Sequence, residues 1–178
     1  IARDCDEENN IPKKMLDKAW EIGLANSSVP EAYDGIGMDR SAVTSVLIGE
    51  ELGYGCATLA TAILAPSAFI HPVIDFGTDE QKEKYLPLYG GEKFEPASIA
   101  LQESQFTFDP TDLQTRAEKK GSDWVINGAK RLVPFGSSAN HFLVIARTGE
   151  ATGLANIDAF IVPKDAAGLT ISEDNEKT

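Results

Sequence analysis

Few residues of this chain are spaced to do chemistry on their own. The two histidines, His71 and His141, stand apart without the Cys, His or carboxylate spacing of a metal-ligand set, and both are read as structural. Cys5 and Cys56 are the two cysteines; far apart and without metal spacing, they are read as reduced thiols of a cytoplasm-like compartment. Gly35-Ile36-Gly37 lacks the preceding strand and third glycine of a dinucleotide fingerprint, and is read as a turn. There is no G-x-S-x-G nucleophile elbow and no phosphate-cradling glycine loop followed by Lys. Carboxylates are plentiful, at 28 Asp and Glu, but a general base is defined by burial and geometry that spacing does not reveal. The net charge of −12, with Lys and Arg scattered, argues against nucleic acid as a partner. Residue by residue, no reaction can be read.

The elements are more legible. Pro12 to Ile22 places Met15, Leu16, Ala19, Trp20 and Ile22 on about one helical face, with Pro at the start and Gly23 at the end. Ser41 is placed to cap a helix that runs to about Leu52, with Tyr54-Gly55 as its break. Ala57 to Ile70 reads as one apolar core helix, because Thr58, Thr61, Pro66 and Ser67 interrupt it and no window reaches 18 uninterrupted apolar residues. Pro72 is expected to open a short separate element ending at Gly77. Thr78-Asp79-Glu80-Gln81 is a capping box for a helix that runs to Tyr85 and halts before Pro87.

From Phe94 the apolar period changes from about 3.6 to 2. Strands are expected at Ala97–Leu101, Leu113–Lys119, Trp124–Val133, His141–Thr148, Ile157–Val162 and Leu169–Ser172, with Asn127-Gly128 as a hairpin turn. The expected fold is α+β: an all-α domain over residues 1–91, then a small antiparallel β-barrel over 92–178. No membrane-spanning helix is expected. Residue 1 is Ile, and the chain stops in the polar run Ser172–Thr178, so a fragment is expected.

Three stretches in register resemble one family. VPEAYDGIGMDRSAVTSVLIGEELGYG is similar to the V-P-E-x-Y-G-G-x-G loop and following E-E-L helix of the flavin-dependent acyl-CoA dehydrogenases. FGTDEQKEKYLPLYGGEK resembles their F-G-(T/S)-x-E-Q-K-x-(K/R)-(Y/W)-L-P helix, and SIALQESQFTFDPTDLQTRAEKKGSDWVINGAK stands where their first barrel strands lie. The resemblance implies the N-terminal helical domain of that fold, with its first helix missing, and the middle β domain. It also implies FAD as cofactor, an acyl-CoA substrate oxidised at its α,β bond in fatty acid metabolism, and an electron-transfer flavoprotein as electron acceptor. A homo- or hetero-oligomer is implied, in a bacterial cytoplasm or a mitochondrial matrix.

By the same resemblance, Leu101, Gln102, Leu132, Val133 and Pro134 face the flavin and Phe108 faces the acyl-CoA. The catalytic base belongs to a C-terminal helical domain, so none is nominated, and no metal is implied. The flavin-facing residue types depart from the family. Gln102 stands for a Thr, Phe108 for a Ser, Leu132 for an aromatic, Pro134 for a Thr and Phe135 for an Asn. Proline brings neither hydroxyl nor N–H. These departures leave three readings open: a divergent dehydrogenase, a non-catalytic FAD-deficient partner subunit, or a flavin monooxygenase of the same fold. The 178-residue piece itself is expected to bind FAD weakly and to be inactive.

Overall fold

The computed structural model describes residues 11–105, 107–151 and 153–172. The chain divides into two compact units, residues 1–97 and 98–178.

In the first unit, α1 (Lys13–Glu21) follows Pro12 in extended backbone, and Gly23 takes φ +76° just beyond its end. The left-handed geometry there is one that glycine adopts without strain. Leu16, Ala19 and Trp20 form its buried face. The Trp20 indole N–H donates to the Gly91 carbonyl at 2.8 Å, and Phe94 stands edge-on to its ring with centroids 5.3 Å apart. A buried indole needs such a partner for its one polar atom.

The Ser41 hydroxyl accepts the Thr44 N–H at 3.2 Å and so caps α2 (Ala42–Gly55), as its position predicts. The helix runs on through Tyr54 to Gly55 and is ended by extended Cys56 instead. None of its residues is buried; Val43 is 71% exposed and Tyr54 94%.

The expected single helix over Ala57–Ile70 is two: α3 (Ala57–Leu64) and α4 (Ser67–Phe76). Pro66, without an N–H, cannot continue the first ladder and opens the second helix instead. Pro72, expected to begin a new element, lies inside α4; its ladder bond is forgone while Phe69, Ile70 and Val73 are buried around it. The stretch Ala57–Phe76 has 20 residues and contains an 18-residue window of mean hydropathy 1.6, long and apolar enough to cross a bilayer. Ala60, Ala62, Ile63, Phe69, Ile70 and Val73 are instead buried within the unit, as in a core helix.

Helix α5 (Asp79–Tyr85) opens on a complete capping box. Thr78 Oγ1 accepts the Gln81 N–H at 3.3 Å, and Gln81 Oε1 accepts the Thr78 N–H at 2.9 Å. A last short helix, α6 (Pro87–Gly90), buries Tyr89.

The second unit has no α-helix among its described residues, only a 3-10 turn at Leu154–Asn156. Its strands are β1 (Ala97–Ala100), β2 (Arg116–Lys120), β3 (Asp123–Asn127), β4 (His141–Arg147) and β5 (Ile157–Pro163). They form one five-stranded sheet in the order β1-β4-β2-β3, with β5 also on β4. The β2–β3 and β4–β5 pairs are antiparallel, but β2 meets β4 in parallel through Arg116 and Arg147. The sheet is therefore mixed where an antiparallel one was expected. Trp124 of β3 and Phe160 of β5 contact across non-adjacent strands at 5.3 Å, which requires the sheet to curl.

The hairpin turn also lies elsewhere. Lys120 pairs with Asp123, so β2 and β3 are joined by Gly121-Ser122, with Gly121 at φ +67°. Asn127-Gly128 instead ends β3 and leads into an irregular segment that runs to β4. No strand is present at Leu169–Ser172.

Candidate functional site

Two irregular segments of the second unit carry the residues that the resemblance assigns to the flavin. The first follows β1 and holds Leu101, Gln102 and Glu103; the second, between β3 and β4, holds Lys130 to Phe135. The Arg131 N–H donates to the Gln102 carbonyl at 2.9 Å, which lays them side by side. The Ser98 hydroxyl of β1 donates to the Pro134 carbonyl at 2.5 Å, tying the far end of the second segment to the same strand. Gln102, Leu132, Val133 and Pro134 thus lie on chain segments held together, although about thirty residues separate them in sequence. Among the described residues, no hydrogen bond or ring contact ties Phe108 to either segment; it is half-buried in the β1–β2 connection.

A buried ion pair lies between the segments. Lys130 Nζ donates to Glu103 Oε1 at 2.8 Å and to the Leu101 carbonyl at 3.0 Å. The side chains of Lys130 and Glu103 are 8% and 4% exposed. Glu103 also accepts the N–H of Gln114 at 2.7 Å and of Thr115 at 2.9 Å. Burial by itself would raise the Glu103 pKa, but the Lys130 ammonium, Thr115 and the two amides hold it down to about 2. Burial lowers the Lys130 pKa, and Glu103 opposes that shift.

These contacts explain why two strands are shorter than expected. The amides of Gln114 and Thr115 bond a carboxylate rather than a neighbouring strand, so β2 begins at Arg116 and not at Leu113. β3 stops at Asn127 because Gly128 passes directly against Thr115. A Cβ at residue 128 would lie 2.5 Å from Thr115 Oγ1 and 2.6 Å from its Cα. Only glycine permits that approach.

Beyond Lys130 the backbone is unusual. Leu132 and Phe135, neither of them glycine, take φ +50° and +53° on either side of Val133-Pro134. Side chains resist that region, and such strain concentrates where a surrounding structure enforces it, often at binding sites. Leu132 is 75% exposed, so its apolar side chain projects from the segment, and Gln102 beside it is exposed. An apolar platform next to an amide that both donates and accepts fits one face and one polar edge of a flat heteroaromatic ring. A hydroxyl donor is missing at 134, and so is an N–H.

Glu103, Lys130 and Ser98 were not among the residues nominated from the sequence. The signal available was a charged residue at each end of the apolar runs, Glu103 after IALQ and Lys130 after VINGA. That pattern ordinarily marks a solvated loop, and only the fold reveals that the two charges meet.

Other polar features lead elsewhere. His71 does have a carboxylate one helical turn along, Asp75, contrary to the sequence reading. Both oxygens of Asp75 are held by the Arg40 guanidinium, with Nη1 to Oδ2 at 2.9 Å. Burial, then the Arg40 charge, lowers the His71 pKa, so it is kept neutral. Among the described residues, no three His, Cys, Asp or Glu side chains gather as a metal site. Cys5 lies outside the described residues.

A helical unit is followed by a curled mixed sheet, and the strained segment between β3 and β4 is stapled to the first strand. Residues 1–92 match the family described as "Acyl-CoA dehydrogenase, N-terminal domain", and residues 98–178 match "Acyl-CoA dehydrogenase, middle domain". The chain belongs to the acyl-CoA dehydrogenase family. It is 37% identical over 173 residues to a probable medium-chain specific acyl-CoA dehydrogenase 2, mitochondrial, of Caenorhabditis briggsae, covering 95% of this chain and 41% of that one. Among solved structures, the prolyl acyl carrier protein oxidase AnaB superposes with a TM-score of 0.81 at 34% identity, covering 95% of this chain and 45% of that one. A glutaryl-CoA dehydrogenase from Mycobacterium smegmatis in complex with FADH2 gives 0.79 at 25% identity, covering 96% and 43%. The chain spans less than half the length of these relatives.

Proposed function

We propose that this chain supplies the N-terminal and middle portions of a flavin-dependent acyl-CoA dehydrogenase that oxidises the α,β C–C bond of an acyl-CoA thioester. The observation that carries the reading is the juxtaposition of the 101–103 and 130–135 segments through the Arg131–Gln102 and Ser98–Pro134 hydrogen bonds. In this reading the backbone of Leu101 and the Gln102 amide border the polar edge of the flavin, while Leu132 and Val133 cover its face. Phe108 borders the acyl-CoA. FAD held there would supply the acceptor for the hydride that leaves the β carbon. The chain's own residues position the ring and shield it from water, and none is assigned as the base. An electron-transfer flavoprotein takes the electrons onward, and the full-length protein works as an oligomer in a mitochondrial matrix or bacterial cytoplasm. The mitochondrial and bacterial origins of the relatives support the location.

A second reading, a partner subunit that keeps the fold without FAD, is favoured by one observation. Residue 134 offers neither N–H nor hydroxyl, and its carbonyl is already engaged by Ser98. The flavin absorbance of the purified full-length protein separates the two readings, since a colourless protein that no FAD titration can load sinks the dehydrogenase.

For the 178-residue chain by itself, the expected result of isothermal titration with FAD is binding weaker than about 1 μM. One wall of a cleft open to water forgoes the near-attack geometry and most of the grip that a closed site supplies. Submicromolar binding would mean that the affinity resides in this half.

A further inference from the structure

We infer that the Glu103–Lys130 ion pair is a positioning clamp that sets the register between the two segments presenting Gln102 and Leu132–Pro134 to the ligand. The inference deepens the flavin-site reading and rests on it for the ligand's identity, though not for the mechanics.

Four contacts converge on the pair. Glu103 draws in the amides of Gln114 and Thr115 at 2.7 and 2.9 Å, fixing the start of β2 beneath the first segment. Lys130 reaches Glu103 at 2.8 Å and the Leu101 carbonyl at 3.0 Å, fixing the second segment onto the first. Next to it, the Arg131 N–H reaches the Gln102 carbonyl. Arg131 immediately precedes the strained backbone that begins at Leu132 and ends at Phe135.

Stability is a poor reason for such a pair, because desolvating two charges cancels most of their attraction, and an apolar pair of like volume often does as well. What a buried pair can supply instead is a single register, since sliding either segment leaves a charge buried and unpaired. Here both segments are irregular, so no strand ladder sets their alignment. The pair and its neighbouring backbone bond do so instead. A ring seated against Gln102 and Leu132 at once needs that alignment held closely, because binding geometry tolerates little error.

The test uses full-length protein, with Glu103→Gln, Lys130→Met, the double substitution and Lys130→Arg. Two readouts are taken well below the thermal midpoint of every variant: amide hydrogen exchange in the flavin-free protein, and FAD affinity by titration of the same protein. In Glu103→Gln, exchange at Arg131 and across 130–136 should rise at least tenfold while β4 and β5 keep their protection. The FAD Kd should rise at least tenfold as well, whereas Lys130→Arg, which keeps the charge pair, should leave both near wild type. If a single substitution prevents folding, the double one carries the same test, for it leaves no unpaired buried charge.

Exchange within twofold of wild type in the segment overturns the clamp. So does a rise shared equally by β4 and β5, which would make the pair merely structural. A local rise with unchanged FAD affinity overturns its positioning role. A local rise in a protein whose wild type takes up no FAD sinks the flavin reading and leaves the clamp standing as an alignment device.

Discussion

Glycine and charge give opposite lessons at the residue scale. Gly128 has no room for a side chain, with Thr115 atoms 2.5–2.7 Å from where a Cβ would stand, two of them not free to swing aside. Gly128→Ala should therefore destabilise by about 2 kcal/mol or more, in the range of overpacked sites. Gly53 in α2 has nothing within 4 Å of its Cβ position, and Gly53→Ala should stabilise by roughly 0.5–1 kcal/mol through helix propensity. Urea unfolding of the two variants measures both, and the same sign for the two would contradict the packing described. Glu103 makes the pH prediction. Its folded pKa lies below the ordinary 4.5, at about 2, so the stability it contributes is present above 4.5 and lost as pH falls towards 2. Glu103→Gln strands the Lys130 charge and should cost about 3–5 kcal/mol near neutrality. The gap between wild-type and variant urea midpoints should then close on acidification below 4.5; a gap that widens would reverse the sign of the linkage.

At the scale of elements, what could be read from the sequence was what depends on neighbours in the chain. Ser41, the Thr78–Gln81 box, Pro12 and Gly23 act within one helical turn, and each helix end they predict is where it should be, to within a residue or so. Thr78→Ala should accordingly cost about 1 kcal/mol, read as a drop in thermal midpoint. The failures are non-local. Asn127-Gly128 and Gly121-Ser122 both satisfy hairpin chemistry, and what decides between them is the approach of Gly128 to Thr115, which no window around residue 128 contains. Likewise β2 is shortened by a carboxylate from before it in the chain, and β2 meets β4 in parallel through a single residue pair. The two site segments could be named only by resemblance. Periodicity has nothing to say about irregular backbone, and the pair that aligns them is two ordinary charged residues until the chain brings them together.

For the whole molecule, the sequence placed the change from helix to strand near residue 91, and the compact units divide after Ala97. The helical unit is built around Trp20, Phe69 and Tyr89. Outside that core, α2 is apolar yet has no buried residue, with only Ile48, Gly49 and Leu52 half-buried, although helices apolar on all sides are ordinarily covered ones. The strand unit instead spends buried charge on the alignment of its loops, and that is where its residue types depart most from the family it resembles.

The Ser98–Pro134 hydrogen bond bears on how this sequence can change over evolutionary time. The atom that Ser98 holds is a main-chain carbonyl, which every amino acid possesses. The tether therefore places no demand on the identity of residue 134, and proline can enter or leave that position without the segment losing its anchor. Departure from the family's hydroxyl is in this sense reversible. A single substitution, Pro134→Thr, would restore both a hydroxyl and an N–H to a segment already anchored at that point.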